Sequence, residues 1–222
     1  MTPSAFRERL RAGEPLLGTL VQIPRPEVAV RLARQGFDWL FLDGEHGGYG
    51  PFETSRTLAA LGGTTPCLLR VPNQDPEVIA DAAACGAAGL IVPHVDSAAQ
   101  AEAAVRAVQG RGLVVVQVES REAVAEVGAI ARVPGVDAVF VGPYDLTTSL
   151  GIPERFDHPD FLGALETIRA ACRATGMPLG LFRMTGVEAR QHLAQGFTLL
   201  AAGTDGTLLE AGAQALLAAL RG

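Results

Sequence analysis

The sequence predicts a single (β/α)8 barrel domain spanning residues 1–222. Three observations carry that expectation. Short apolar runs alternate eight times with stretches of helical spacing. Those runs are continuous rather than alternating, as parallel strands covered on both faces require. Several helices also close on glycine: Gly36, Gly86, Gly176 and Gly196 each fall just before the next apolar run, where a helix end calls for a left-handed residue. A doubly wound open sheet is the structural alternative, but eight units of one period favour the closed barrel.

The elements follow in order. A first strand is expected over residues 16–23, then a helix over 26–35 with Val28, Val30, Leu32 and Ala33 as its apolar positions. The second strand covers 38–42 and its helix 52–61. The third strand covers 67–71 and its helix 76–85, with Pro76 at the start, where a missing N–H is harmless. The fourth covers 90–95, and Ser97 is placed to cap an Ala-rich helix running to Val108. The fifth strand is 113–118 with a helix over 121–131, and the sixth is 136–141 with a helix over 161–174. The seventh strand is 179–182 with a helix over 187–194, and the eighth is 197–201 with a final helix over 207–220.

Composition narrows the class. Hydrophobic residues make up 48% and charged residues 19%, enough for a sizeable core and too apolar for disorder. The net charge is −6 and the basic residues are scattered, which argues against a nucleic-acid partner. Cys67, Cys85 and Cys172 are odd in number and form no CxxC; they read as reduced core thiols of a cytoplasmic protein. No apolar run reaches the roughly 18 residues of a membrane helix. The segment 1–11 has no signal-type core behind it.

Chemistry concentrates where apolar runs stop. Asp43-Gly44-Glu45-His46-Gly47 follows the second, Gln117-Val118-Glu119 ends the fifth, and Gly142-Pro143-Tyr144-Asp145-Leu146 follows the sixth. In a barrel, His46, Arg70, Glu119 and Asp145 then lie at the C-terminal, catalytic face. Gln117 and Glu119 are two apart on one strand, so both face inward. Two inward carboxylates on adjacent strands repel unless protonated or bridged by a cation. Oxygen ligation of this kind suits magnesium or manganese.

Plainer readings stand beside each residue. Glu119 could neighbour a helix cap, Asp145 could cap the turn at Thr147 and Thr148, and Arg70 could be a surface arginine. His94 is a pocket-lining residue or a satisfied barrel histidine, while His158 and His192 read as loop and helix-surface residues. Gly203-Thr204-Asp205-Gly206 is an anion-binding helix start or an ordinary glycine-rich turn.

These motifs, with Leu69-Arg70-Val71, Gly89-Leu90-Ile91-Val92-Pro93 and the run from Gln117 to Val124, resemble the HpcH/HpaI aldolase family. Its members are metal-dependent pyruvate aldolases such as 4-hydroxy-2-oxoheptanedioate aldolase and 2-keto-3-deoxy sugar acid aldolases. The resemblance runs from about Gly18 to the C-terminus. It implies that Glu119 and Asp145 ligate magnesium or manganese, with cobalt a third candidate. It implies that Arg70 contacts the pyruvate keto oxygen, that Gln117 orients the substrate and that His46 handles the aldol hydroxyl proton. The backbone at Gly142 and Pro143 is implied to hold the pyruvate carboxylate. The implied reaction is reversible cleavage of a 4-hydroxy-2-oxo acid to pyruvate and an aldehyde, by a carbon–carbon lyase. The implied assembly is a trimer or hexamer exchanging its last helix, so that 207–220 packs on a neighbour. Strand six ends without a lysine, which argues against a Schiff-base aldolase.

Two departures from the family pattern stand out. Ala84 occupies the position of an acid that pairs with the active-site histidine, with Asp81 one turn earlier. The connection between helix four and strand five is only Gln109-Gly110-Arg111-Gly112, where the family carries a long insertion. The rival readings are a citrate-lyase-β-like enzyme acting on acyl-CoA and a catalytically weakened paralogue that binds a 2-oxo acid.

Overall fold

The computed structural model describes residues 2–222. A helix α1 (Pro3–Arg11) precedes eight strands: β1 (Leu16–Val21), β2 (Trp39–Asp43), β3 (Cys67–Arg70), β4 (Gly89–Val92), β5 (Leu113–Val118), β6 (Ala138–Val141), β7 (Leu179–Arg183) and β8 (Leu199–Thr204). Between and after them run α2 (Pro26–Ala33), α3 (Pro51–Leu61), α4 (Pro76–Ala83), α5 (Ala98–Val108), α6 (Arg121–Ile130), α7 (Pro143–Ser149), α8 (Pro159–Thr175), α9 (Gly186–Leu193) and α10 (Asp205–Arg221). The strands pair in parallel, each with its sequence neighbour, and β1 closes on β8. The result is a (β/α)8 barrel, as the sequence predicts.

Alternation along each strand sends one set of side chains inward and the other against the helices. Phe41, Ile91, Val115, Phe140 and Leu199 belong to the inner cluster, and Leu42, Leu69, Val92, Val116 and Val141 to the outer one. Aromatic rungs fill the barrel because small residues face them: a Cβ on Gly180 would lie 2.3 Å from the Phe140 ring. α1 plugs the N-terminal end with Phe6 and Leu10, both fully buried, and Phe6 packs 6.5 Å from Trp39.

The sequence reading has no α1, a mostly polar helix of nine residues in which only Phe6 and Leu10 are buried. It also has no α7, which is seven residues long and starts at Pro143. Expected caps hold: Ser97 accepts from the Gln100 N–H, and Pro76 starts α4. Gly36, Gly86, Gly176 and Gly196 all take positive φ.

α10 leaves the barrel after its first residue. Asp205 is buried, whereas Leu209 and Leu220 are 70% and 74% exposed. Cys67 and Cys172 are buried and all three cysteines are unpaired. Among the described residues no helix is long and apolar enough to cross a membrane.

Candidate active site

The last residues of β2 and β3, Asp43 and Arg70, are register partners at the C-terminal mouth. Arg70 donates from Nε to Asp43 Oδ1 at 2.9 Å, its Nη2 lies 2.9 Å from the same oxygen, and its Nη1 lies 2.8 Å from Glu45 Oε2. Asp43 also accepts the backbone N–H groups of Glu45 and His46 and the Gln22 side-chain amide. Its fully buried charge is thus compensated on every side, which a buried carboxylate requires. The Arg70 guanidinium rests over the Phe41 ring, 5.3 Å from its centre. Arg70 is therefore no surface arginine: it is 6% exposed and aimed across the barrel mouth.

Glu119 follows β5 and is 2% exposed. Its Oε2 accepts from the Gln117 amide. Its Oε1 accepts the His94 backbone N–H at 2.7 Å and lies 2.9 Å from His94 Nδ1. The other imidazole nitrogen, Nε2, lies 3.0 Å from Glu45 Oε1. His94 thus bridges two acids, so the satisfied-histidine reading is the one that holds. It does so from a left-handed backbone, φ 56°, with Gln74 donating to the Pro93 and His94 carbonyls. That conformation costs a non-glycine residue about 1–2 kcal/mol, which the contacts at both ends of the ring offset.

Burial pushes the Glu119 carboxyl up to about 7, with Asp145 and Glu45 raising it further and His94 opposing them. Asp145 sits in the first turn of α7. It does not cap that helix's turn: the Thr147 and Thr148 hydroxyls donate to the Tyr144 carbonyl instead. Close approach of β5 and β6 depends on Gly142, where a Cβ would lie 2.2 Å from Glu119 Oε2 and 2.7 Å from Gln117 Nε2.

These groups surround a cavity of about 270 Å³. His46, Arg70, Gln117, Gly142, Pro143 and Asp145 line it, with Glu119 behind Gln117 and Gly142. All seven residues singled out in the sequence are thus brought to one place. Among the described residues no three His, Cys, Asp or Glu side chains form a metal cage. The site offers instead a carboxylate pair beside the buried Gln117 Oε1, which has no hydrogen-bond partner. Hard oxygen donors with free positions suit magnesium or manganese, which keep water and substrate as remaining ligands.

Other motifs resolve differently. Asp81 and Ala84 lie exposed on α4. The acid beside His46 is Glu45, 3.6 Å from its Nε2. The Gly203–Gly206 turn holds its own anion: Asp205 accepts the N–H groups of Gln22 and Ile23 at 3.1 and 2.8 Å. His158 caps α8, and His192 contacts Gln195.

Asp43 and Glu45 are not among the site residues predicted from the sequence, although both stand in the motif that carries His46. A carboxylate ending a fully apolar strand, opposite an arginine ending the next, was the available signal. Nothing in the sequence announces the His94 bridge or the role of Gln74.

Barrel, mouth acids and buried arginine form one polar site at the C-terminal face, and the relatives of the chain give it a class. The HpcH/HpaI aldolase/citrate lyase family profile matches residues 18–211. A hydroxypyruvate/pyruvate aldolase of Pseudomonas aeruginosa is 34% identical over 92% of this chain and 88% of its own. A 4-hydroxy-2-oxo-heptane-1,7-dioate aldolase of Salmonella paratyphi B is 32% identical over 97% and 94%. The crystal structure of an HpcH/HpaI aldolase/citrate lyase family protein from Burkholderia cenocepacia superposes with a TM-score of 0.93 at 30% identity, covering 98% of this chain and 99% of that one.

The chain belongs to the HpcH/HpaI aldolase/citrate lyase family. It is a carbon–carbon lyase.

Proposed function

We propose that the chain is a divalent-metal-dependent pyruvate aldolase that reversibly cleaves 4-hydroxy-2-oxo acids to pyruvate and an aldehyde. One observation carries the reading: the buried Glu119, with Asp145 as an acidic neighbour, stands at the same barrel mouth as Arg70, a buried arginine flanked by Asp43 and Glu45.

Glu119 and Asp145 are the residues that would hold magnesium or manganese, with cobalt a third candidate. The ion supplies Lewis acidity at the keto and carboxylate oxygens of the pyruvate moiety. Gly142 and Pro143 present backbone to that carboxylate, and Gln117 orients the acid. Arg70 has five N–H donors; Asp43 and Glu45 engage Nε, Nη2 and Nη1, which fixes the plane of the guanidinium. The remaining donors face the keto oxygen, where negative charge grows as the C3–C4 bond breaks. His46 takes the C4 hydroxyl proton as the aldehyde departs and returns it in the condensation direction. Glu45 lies beside it. The electron pair left on pyruvate is protonated at C3 by water, and His46 gives the hydroxyl proton back to solvent, so that no net proton is gained or lost. The sequence contains no lysine, all 18 basic residues being arginine, so no side chain offers the amine of a Schiff base.

The test is pyruvate release from a panel of 4-hydroxy-2-oxo acids, read through lactate dehydrogenase. Release that needs magnesium or manganese and stops with EDTA supports the reading. Pyruvate binding without release favours the weakened paralogue instead, with Ala84 and the short 109–112 connection as its causes.

Metal affinity should follow the Glu119 proton. The carboxyl, held up at about 7, must ionise to ligate, so calorimetry is expected to show a plateau above pH 7 and about tenfold weaker magnesium binding at pH 6. An affinity flat from pH 6 to 8 would contradict this ligand assignment.

Assembly belongs to the same reading. The exposed apolar residues of α10 fit a homo-oligomer, trimer or hexamer, in which that helix packs on a neighbour. Leu209→Glu with Leu220→Glu is expected to reduce the mass found by light scattering to that of smaller species; an unchanged mass would contradict helix exchange. The unpaired cysteines fit a cytoplasmic enzyme.

A further inference from the structure

The cavity has two unlike halves. Charge concentrates on one side, around β2 to β6. There Asp43 and Glu45 flank a single guanidinium, Arg70, and Glu119 and Asp145 stand beside them, so that acids outnumber the one arginine.

The opposite side, on β1, β7 and β8, is apolar or neutral. Leu20, Phe182, Met184 and Tyr144 form its wall, with Gln22 and Thr204 between them. Gln22 and Thr204 both bond within the chain, and the Tyr144 hydroxyl is the wall's third polar group. The Gln22 amide donates to Asp43, and Thr204 exchanges hydrogen bonds with Thr207. The arginine of β7, Arg183, faces away from the cavity, with its guanidinium 4.2 Å above the Phe156 ring and 2.8 Å from Glu188. Arg25 is exposed and not part of the wall. Behind Gln22 lies a further carboxylate, Asp205.

We propose that the aldehyde half of the substrate carries no negative charge: it is a short aliphatic or aromatic aldehyde seated against Leu20, Phe182, Met184 and Tyr144. The inference rests on the aldolase reading above and deepens it. A carboxylate or phosphate at the far end of the substrate would leave water for a wall that offers no cation, beside a cluster of acids. The Salmonella relative is named for a dioate, an acid with a carboxylate at each end; this cavity wall holds no second cation to receive one.

The test compares two acids of equal length, 2-oxohexanoate and 2-oxoadipate, by calorimetry with magnesium present and pyruvate as control. The monoacid is expected to bind about tenfold tighter or better, a difference of about 1.4 kcal/mol. Equal or tighter binding of the diacid, while pyruvate binds normally, overturns this inference and leaves the aldolase reading standing. Failure of pyruvate itself to bind removes the aldolase reading and this inference with it. Met184→Arg, at the rim of the apolar wall, is expected to narrow the preference about tenfold. An unchanged preference counts against that wall as the aldehyde's seat.

Discussion

Glu119→Gln is expected to abolish metal-dependent pyruvate release without weakening the fold. The side chain keeps its shape but loses the charge that ligates. Magnesium affinity should fall at least about a hundredfold, and turnover about a thousandfold, the scale seen when a group that stabilises developing charge is removed. Stability should move the other way. The Glu119 carboxyl is raised above its unfolded value of 4.5 to about 7, so the folded state holds a proton that the unfolded chain has released. Between those values the metal-free protein loses stability as pH rises, and the loss is complete above pH 7. Glutamine carries no such penalty. Its amide can face Gln117 because the unpartnered Gln117 Oε1 can turn to accept from it. At pH 8, without metal, the variant is expected to melt no lower than the parent and to gain nothing from added magnesium. A large drop in Tm at pH 8 would show that Glu119 is structural.

Arg70→Met is expected to cost both chemistry and stability. Turnover should fall about a hundredfold or more with the loss of the cation facing the keto oxygen. The substitution also strands Asp43, which is fully buried and takes the arginine's Nε hydrogen bond and its Nη2 ion-pair contact. Breaking a buried pair from one side costs about 3–5 kcal/mol, or roughly 10 °C in Tm for a domain of this size. The Gln22 amide and the Glu45 and His46 N–H groups still reach Asp43, which favours the lower end. Arg70→Lys separates the two effects. It keeps a charge near Asp43 but cannot hold Asp43 and Glu45 while presenting donors to substrate. Tm should recover in part while turnover stays low; recovery of turnover would argue against a positioned guanidinium.

The barrel was legible because parallel strands covered on both faces leave unbroken apolar runs. β5 falls on the expected residues, Leu113–Val118. β8 is displaced, from 197–201 to Leu199–Thr204. Its end reads Ala-Ala-Gly-Thr, which carries little strand signal; pairing with β1, Leu20 opposite Thr204, extends it. α7 was hidden by its length, too short to show a period.

In the site, parity and strand ends were enough to find Arg70, Gln117, Glu119 and Asp145. The contact between His94 and Glu45 spans 49 residues and depends on one left-handed turn, which no local pattern encodes. The two readings of the Gly203–Gly206 turn stayed open for a similar reason. Asp205 is itself the anion at that helix start, and its partners come from β1's far end.

The central claim is that Glu119, Asp145 and Arg70 together stabilise negative charge at C3 of pyruvate. Exchange of the pyruvate methyl protons in deuterium oxide, followed by NMR with no aldehyde present, tests it directly. The account predicts loss of the methyl signal only with protein and magnesium or manganese together, halted by EDTA and absent in Glu119→Gln. Pyruvate that binds in the presence of metal yet keeps its methyl protons, or exchange that survives EDTA, would contradict it.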